Sequence, residues 1–278
     1  MSKTHASSRF TSFVKRGNDP LARFSLVFCT IIFAVCCQLL LFSATPVQAA
    51  SRAKAMPSYS CGDANSNHCY GFASWWGNID GSYTEVFTNE MKPGDIFVNN
   101  EMWLQQDATI NGVNTAQYWV EVGTKADKYT TFGHEILFWA DQRPNGGGYA
   151  NHFGYALSPQ DFGKYVYLQI IRDSPNSCTW DVSATGLPVD YLTGQSTSNC
   201  YSPNRQNIGM ELAGSYGATA PRNGFVNNRW YSNSNGGWHF QANTPSHYDQ
   251  TGPISSGWIK YPPGNNGGQW STCLNSNC

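Results

Sequence analysis

Residues 51–278 are divided into short segments by clusters of Gly and Asn. Clusters of this type form tight turns and hairpins, and they recur at 111–112, 145–148, 223–224, 235–237 and 265–268. The segments between them are rich in β-branched and aromatic residues, which favour strands; the clearest are 117–123, 135–140, 165–172, 207–214, 225–231 and 238–241. The sequence therefore predicts an all-β protein, an antiparallel two-sheet β-sandwich.

Apolar and polar residues alternate in several of these segments with the period of a half-buried strand. The alternation predicts the side chains that pack between the two sheets: Val166, Leu168, Ile170, Ile208, Met210 and Leu212. Residues 158–164 suggest one helical turn, because Ser158 and Pro159 suit its cap and its first position.

The first 50 residues have the features of a secretory signal peptide. Basic residues precede an uncharged apolar run at 25–44, and small residues follow, so cleavage is expected after Ala49 or Ala50. The alternative is an uncleaved anchor, because about 20 apolar residues can span a bilayer. In both cases the rest of the chain is expected to be secreted or extracellular, with membrane contact only during export or through that anchor.

Six cysteines follow the predicted signal peptide, and an even number in an exported chain favours disulfides. Sequence proximity favours three pairs: Cys61–Cys69, Cys178–Cys200 and Cys273–Cys278. Neither the cysteines nor the histidines show the spacing of a metal site, and no phosphate-binding Gly loop is present. We therefore expect no metal and no cofactor.

The chain after the signal is predicted to form one domain. We expect residues 51–114 to form an N-terminal extension with the first strands, and residues 115–241 to form the sandwich core with the functional site. The Gly/Asn/Pro-rich segment 242–278 is expected to pack on the same domain, wrapping its surface. Residues 51–278 carry 12 basic and 17 acidic side chains, and this balance argues against a nucleic-acid partner, which needs a basic surface.

Two carboxylates lie inside predicted strands on the face opposite the apolar one. Glu121 shares its face with Gln117 and Trp119, and Glu211 lies between Gly209 and Ala213, which leave room for a ligand. The polar face of 165–172 adds Tyr167 and Gln169. The side chains expected to bind a substrate around Glu121 and Glu211 are therefore Trp119, Gln117, Tyr167 and Gln169. Paired carboxyl groups can differ in pKa and serve as acid and base. The alternative is a pair of hydrated side chains on a wet sheet face.

The segments AQYWVEVGTKA, HEILFWADQ, CTWDV and NIGMELAG, in this order, resemble the neprosin family and the related eqolisins. These are glutamic peptidases on a concanavalin-like β-sandwich. The resemblance implies a jelly-roll sandwich, a polypeptide substrate, activity at acid pH, and a catalytic pair at Glu121 and Glu211. The chain departs from the neprosin pattern at 186–191, and Glu211 has no adjacent Trp.

The sequence is also compatible with two other functions. The aromatic face and its carboxylates also suit a glycoside-acting enzyme with a glycan substrate. A non-catalytic module that binds carbohydrate or protein on the same face is the third possibility. Substitution of Glu121 and Glu211 separates the enzymes from the binding module, and the substrate separates the two enzymes.

Overall fold

The computed structural model describes residues 61, 68–110, 113–129, 135–144, 148–186, 192–214, 217–242, 245–258 and 268–274. All of them belong to one compact unit, Pro57–Cys278. The predicted signal peptide and its cleavage site lie outside the described residues. Within the described ranges, no helix is long and apolar enough to cross a membrane.

The described chain is all-β and forms two antiparallel sheets, as the sequence predicts. Its strands are β1 (Cys69–Trp76), β2 (Gly81–Phe87), β3 (Phe97–Ile110), β4 (Val113–Asp127), β5 (Glu135–Arg143), β6 (Gly148–Ala156), β7 (Tyr165–Arg172), β8 (Trp180–Thr185), β9 (Leu192–Ser196), β10 (Arg205–Ala213), β11 (Asn223–Ser232), β12 (Gly237–Phe240), β13 (His247–Gln250), β14 (Ile254–Trp258) and β15 (Trp270–Leu274). A single 3₁₀ turn at Pro159–Asp161 lies within the predicted helical turn.

The order of strands in the first sheet is β13-β1-β10-β3-β4-β5-β6, and in the second it is β14-β15-β11-β2-β7-β8-β9, with β12 added beside β11. We call them the seven-stranded and the eight-stranded sheet. Many of these neighbours are distant in the chain, so the sheets depend on long-range pairing. The candidate functional site lies on the outer face of the seven-stranded sheet.

The core lies between the inner faces of the two sheets. All six predicted core residues are buried, with at most 1% of each exposed. Met102, Val120 and Val122 join them from β3 and β4. Because successive side chains of a strand point to opposite faces, burial of these residues directs their neighbours in sequence outward.

The disulfides Cys61–Cys69 and Cys178–Cys200 are both present, as predicted, with Cα atoms 5.0 Å and 4.2 Å apart. Cys273 is also disulfide-bonded. Its predicted partner, Cys278, lies outside the described residues.

The sandwich is not confined to residues 115–241. Strands β1 to β3 come from 51–114, and β1 and β3 flank β10 within the seven-stranded sheet. The segment 242–278 does more than wrap the surface, because it supplies β13 to one sheet and β14 and β15 to the other. Trp270 and Leu274 of this segment are buried.

Two glycines allow close strand approach beside the site. A Cβ on Gly209 would overlap the carbonyl oxygen of Gly71 and lie 2.6 Å from the Cα of Phe72, and a Cβ on Gly123 would lie 2.8 Å from the Cα of Glu101. Both neighbours are backbone atoms, which cannot move without separating strands.

We therefore expect Gly209→Ala to lower the free energy of unfolding by about 1–3 kcal/mol, the usual cost of overpacking. Chemical denaturation followed by tryptophan fluorescence measures this change. Gly77→Ala is the matched control, because a Cβ there meets only a side-chain atom of Ile79 at 3.9 Å. Equal stability of the two variants would contradict the close approach of β1 and β10.

Candidate active site

Three glutamates lie on a diagonal across the outer face of the seven-stranded sheet. Glu211 on β10 is opposite Asn99 on β3, and Glu101 on β3 is opposite Gly209 on β10. On β4, the next strand of the sheet, Glu121 is opposite Trp103, which follows Glu101 by two residues on β3. Diagonal neighbours of a sheet lie about 7–8 Å apart, within reach of long side chains. Glu101 is a diagonal neighbour of each of the other two and therefore lies between Glu211 and Glu121.

The side chain of Asn99 connects two of these three glutamates. Its Nδ2 donates to Oε2 of Glu101 at 2.8 Å and to Oε2 of Glu211 at 3.1 Å. Its Oδ1 accepts the backbone N–H of Glu211 at 3.0 Å. One amide nitrogen therefore holds the carboxyl groups of Glu101 and Glu211 together.

Glu211 is the carboxyl group held in the ionised form. Burial would raise its pKa, but the bond and charge of His68, together with hydrogen bonds from Tyr70 and Asn99, outweigh burial and lower the pKa below its usual value. His68 Nδ1 bonds Oε1 of Glu211 directly. Glu211 is therefore available as a proton acceptor in acid.

Glu121 has the opposite character. Burial, followed by the negative charge of Glu211, raises its pKa to about 8. The hydroxyl of Tyr149 lies 3.5 Å from its Oε1. Glu121 is partly exposed to the groove and is protonated at acid and neutral pH. The pair thus combines a carboxylate with a carboxylic acid, as acid–base catalysis requires.

Glu101 lies between the other two and is almost fully buried, with 2% exposed. Burial, then the charges of Glu211 and Glu121, raise its pKa well above the usual value. It is flanked by Gly209 and Gly123, which carry no side chain to cover it. Glu101 therefore forms part of the groove floor and favours its protonated form.

Two adjoining cavities meet at Glu121 and Glu211. One, of about 280 Å³, extends along an aromatic wall and reaches Arg205; its lining includes Tyr70, Phe72, Trp103 and Trp119. The other, of about 670 Å³, extends toward β5 and β6; its lining includes His68, Phe97, Lys125 and Tyr149. Both share Tyr70, Trp119 and the two glutamates, so an extended ligand can cross the pair.

The structure brings together some of the residues predicted from sequence but not others. Glu121, Glu211 and Trp119 line the same groove. Gln117 lies where the pairing of β3 and β4 shifts register, and it lines neither cavity. Tyr167 and Gln169 are a correction: β7 belongs to the eight-stranded sheet, so their side chains lie on the outer face opposite the site.

The sequence analysis missed several residues around the pair, among them Glu101, Asn99 and His68. The first two had only a partial signal, because Asn99, Glu101 and Trp103 alternate with Val98 and Met102 along β3, but the polar Asn100 interrupts the apolar positions. His68 had none, because its contact with Glu211 joins residues 143 positions apart. Among the described residues, no group of three His, Cys, Asp or Glu side chains is arranged to hold a metal ion.

No family model and no curated protein matches the chain. Two solved structures of scytalido-glutamic peptidase, with a peptide-based transition state analog and with a transition state analog inhibitor, share 10% identity with it. They cover 74% of this chain and 98% of their own, with TM-scores of 0.49 and 0.48. SCP-B, of the Eqolisin family of peptidases, bound to the tripeptide Ala-Ile-His, matches over the same shares with 8% identity and a TM-score of 0.47.

Proposed function

We propose that this protein is a secreted glutamic-type peptidase that hydrolyses peptide bonds in acid, with Glu211 as base and Glu121 as acid. The observation that carries the proposal is the contrast in surroundings between two carboxyl groups that line one groove, with His68 on Glu211 and the hydroxyl of Tyr149 3.5 Å from Glu121. Glu211 is held ionised by His68, whereas Glu121 has its pKa raised to about 8. The predicted signal segment and the two disulfides support export.

The chemistry follows from these two states. Glu211 takes a proton from a water molecule as its oxygen attacks the carbonyl carbon of the scissile bond. Glu121 donates its proton toward the carbonyl oxygen and offsets the charge that develops there. Glu211 then passes the water proton to the leaving nitrogen, and the peptide bond breaks. As the C–N bond breaks, the former carbonyl oxygen returns its proton to Glu121, so that Glu211 is again a carboxylate and Glu121 again a carboxylic acid.

A polypeptide suits the groove better than a single small molecule. The two cavities continue on either side of the glutamates, so residues on both sides of a scissile bond have a place. Aromatic side chains of the first cavity offer apolar contacts, and Lys125 and Asp127 line the second. The neighbouring solved structures hold peptide-based ligands, which agrees with this choice of substrate.

Cleavage of reduced, alkylated casein is expected in acid and is expected to disappear as pH rises past about 8. The lower limit reflects protonation of Glu211, whose pKa lies below its usual value. The upper limit reflects ionisation of Glu121, whose pKa is about 8. Mass spectrometry of new amino termini, from about pH 3 to about pH 9, measures this bell-shaped profile.

A β-glucan and a xylan in the same buffers test the alternative substrate class. Release of reducing sugar without new amino termini would replace the peptidase proposal with a glycoside-acting enzyme. Binding of either polymer with no product would favour the non-catalytic module.

A further inference from the structure

The catalytic base of the proposed peptidase is joined to a disulfide through a closed series of contacts. His68 bonds Glu211 and immediately precedes Cys69 in the chain. Cys69 is bonded to Cys61, and the backbone N–H of Cys61 donates to the carbonyl oxygen of Gly214 at 3.0 Å. Gly214 follows β10, the strand that carries Glu211. The disulfide therefore ties His68 to the same strand as the carboxylate that it contacts.

Residues of several neighbouring segments fix the positions of His68 and the Cys61–Cys69 disulfide. The His68 ring packs edge-on against Phe97, with ring centres 5.3 Å apart. The backbone N–H of Tyr70 donates to the Thr251 hydroxyl at 2.7 Å, which fixes the start of β1. Gly252 leaves room for the disulfide, because a Cβ there would lie 3.2 Å from the sulfur of Cys61. His68 thus occupies a defined position rather than an open loop.

We propose that the Cys61–Cys69 disulfide and His68 form a clamp that places a cationic imidazole on Glu211 and thereby sets the acid limit of the reaction. This inference rests on the proposed function. His68 is a positioning residue here, because it acts through Glu211. An imidazole gains its proton in acid, so the clamp is cationic where the peptidase is expected to work.

Other charged and titratable groups face the clamp. They are Tyr70 from β1, Glu101 from β3, Glu121, Lys125 and Asp127 from β4, and Tyr149 from β6. The two glutamates are protonated in acid and carry no charge there. Nζ of Lys125 lies 3.3 Å from Oδ2 of Asp127 and over the ring of Phe97, whereas His68 bonds Glu211 directly. Removal of His68 therefore removes the cation in contact with the base.

The first experiment compares His68→Gln with the parent protein. We expect the midpoint of Glu211 titration, and the acid limit of casein cleavage, to move upward by about one pH unit or more, since an adjacent opposite charge typically shifts a carboxyl pKa by 1–3 units. NMR of ¹³C-labelled glutamate carboxyl groups measures the first quantity, and the signal is assigned by its loss in Glu211→Gln. His68→Arg restores a cation and is expected to recover part of the shift.

The second experiment removes the disulfide. Cys61→Ala combined with Cys69→Ala is expected to raise the same acid limit, because His68 is no longer tied to β10. The control removes Cys178–Cys200, which lies at the eight-stranded sheet; this variant is expected to lose stability without a change in the acid limit. His247→Gln, at an exposed position on β13, controls for loss of a histidine.

The outcomes separate this inference from the proposed function. An unchanged Glu211 midpoint and acid limit in His68→Gln would overturn the clamp while leaving the peptidase intact. A shifted midpoint in a protein that cleaves no peptide would support the clamp and remove the peptidase. If the double cysteine variant does not fold, His68→Gln still decides, because it leaves the disulfide in place.

Discussion

Glu211→Gln is expected to lower the rate of peptide-bond cleavage by about 10³-fold or more, because removal of one member of a cooperating catalytic pair disables the unit. Glutamine has the same size as glutamate and keeps an oxygen that can accept from Asn99. It cannot take a proton from the attacking water. Initial rates on reduced, alkylated casein in acid, at equal concentrations of folded protein, measure the loss.

Glu85→Gln is the matched control for this change. Glu85 lies on β2 of the eight-stranded sheet, where its Oε1 accepts from the hydroxyl of Tyr83 at 3.0 Å and from Asn227 at 2.8 Å. The substitution is chemically identical but far from the groove, so cleavage is expected to continue. If Glu211→Gln cleaves as fast as Glu85→Gln, the carboxylate of Glu211 is not the base and the peptidase proposal fails.

Strand alternation is the part of this fold that the sequence predicts well. The alternation correctly predicts which side chains of β7 and β10 face the core. It therefore also predicts that Glu211 points outward. The same rule places Trp119 and Glu121 on one face of β4. Alternation is a local property, because each side chain faces opposite to its neighbours in the chain. A short segment is therefore sufficient to recognise the alternation.

Alternation alone does not reveal which sheet a strand joins. Tyr167 and Gln169 show the same pattern as Trp119 and Glu121, but β7 pairs with β2 and β8 in the other sheet. That pairing depends on contacts between distant segments, which no local period contains. The prediction that Tyr167 and Gln169 line the groove is therefore wrong about the strands that β7 pairs with, and not about the direction in which its side chains point.

Glu101 was missed for a different reason. Asn100 points inward on β3, where an apolar residue is expected, and this breaks the pattern that marks β3 as half-buried. The interior accepts Asn100 because its Oδ1 bonds the hydroxyl of Thr272 at 3.0 Å. Thr272 comes from β15, so the compensation is long-range. A buried polar residue satisfied by a distant partner conceals a strand from pattern analysis.

Glu121→Gln is expected to lower cleavage by about 10²–10⁴-fold, the usual contribution of a general acid. Glu101→Gln is expected to cleave nearly as well as the parent protein. Glu101 is buried in the groove floor with its pKa raised, so in acid a neutral amide of the same shape reproduces its charge. Glu121 is partly exposed to both cavities, where it can give its proton to a substrate.

The upper pH limit of cleavage, which reflects ionisation of Glu121, also distinguishes the two variants. Glu101→Gln leaves the proton donor Glu121 in place, so its profile keeps the fall near pH 8. Parallel rate measurements from about pH 3 to about pH 9 compare the two profiles. Full activity in Glu121→Gln with loss of activity in Glu101→Gln would transfer the acid role to Glu101, the carboxyl group that Asn99 already links to Glu211.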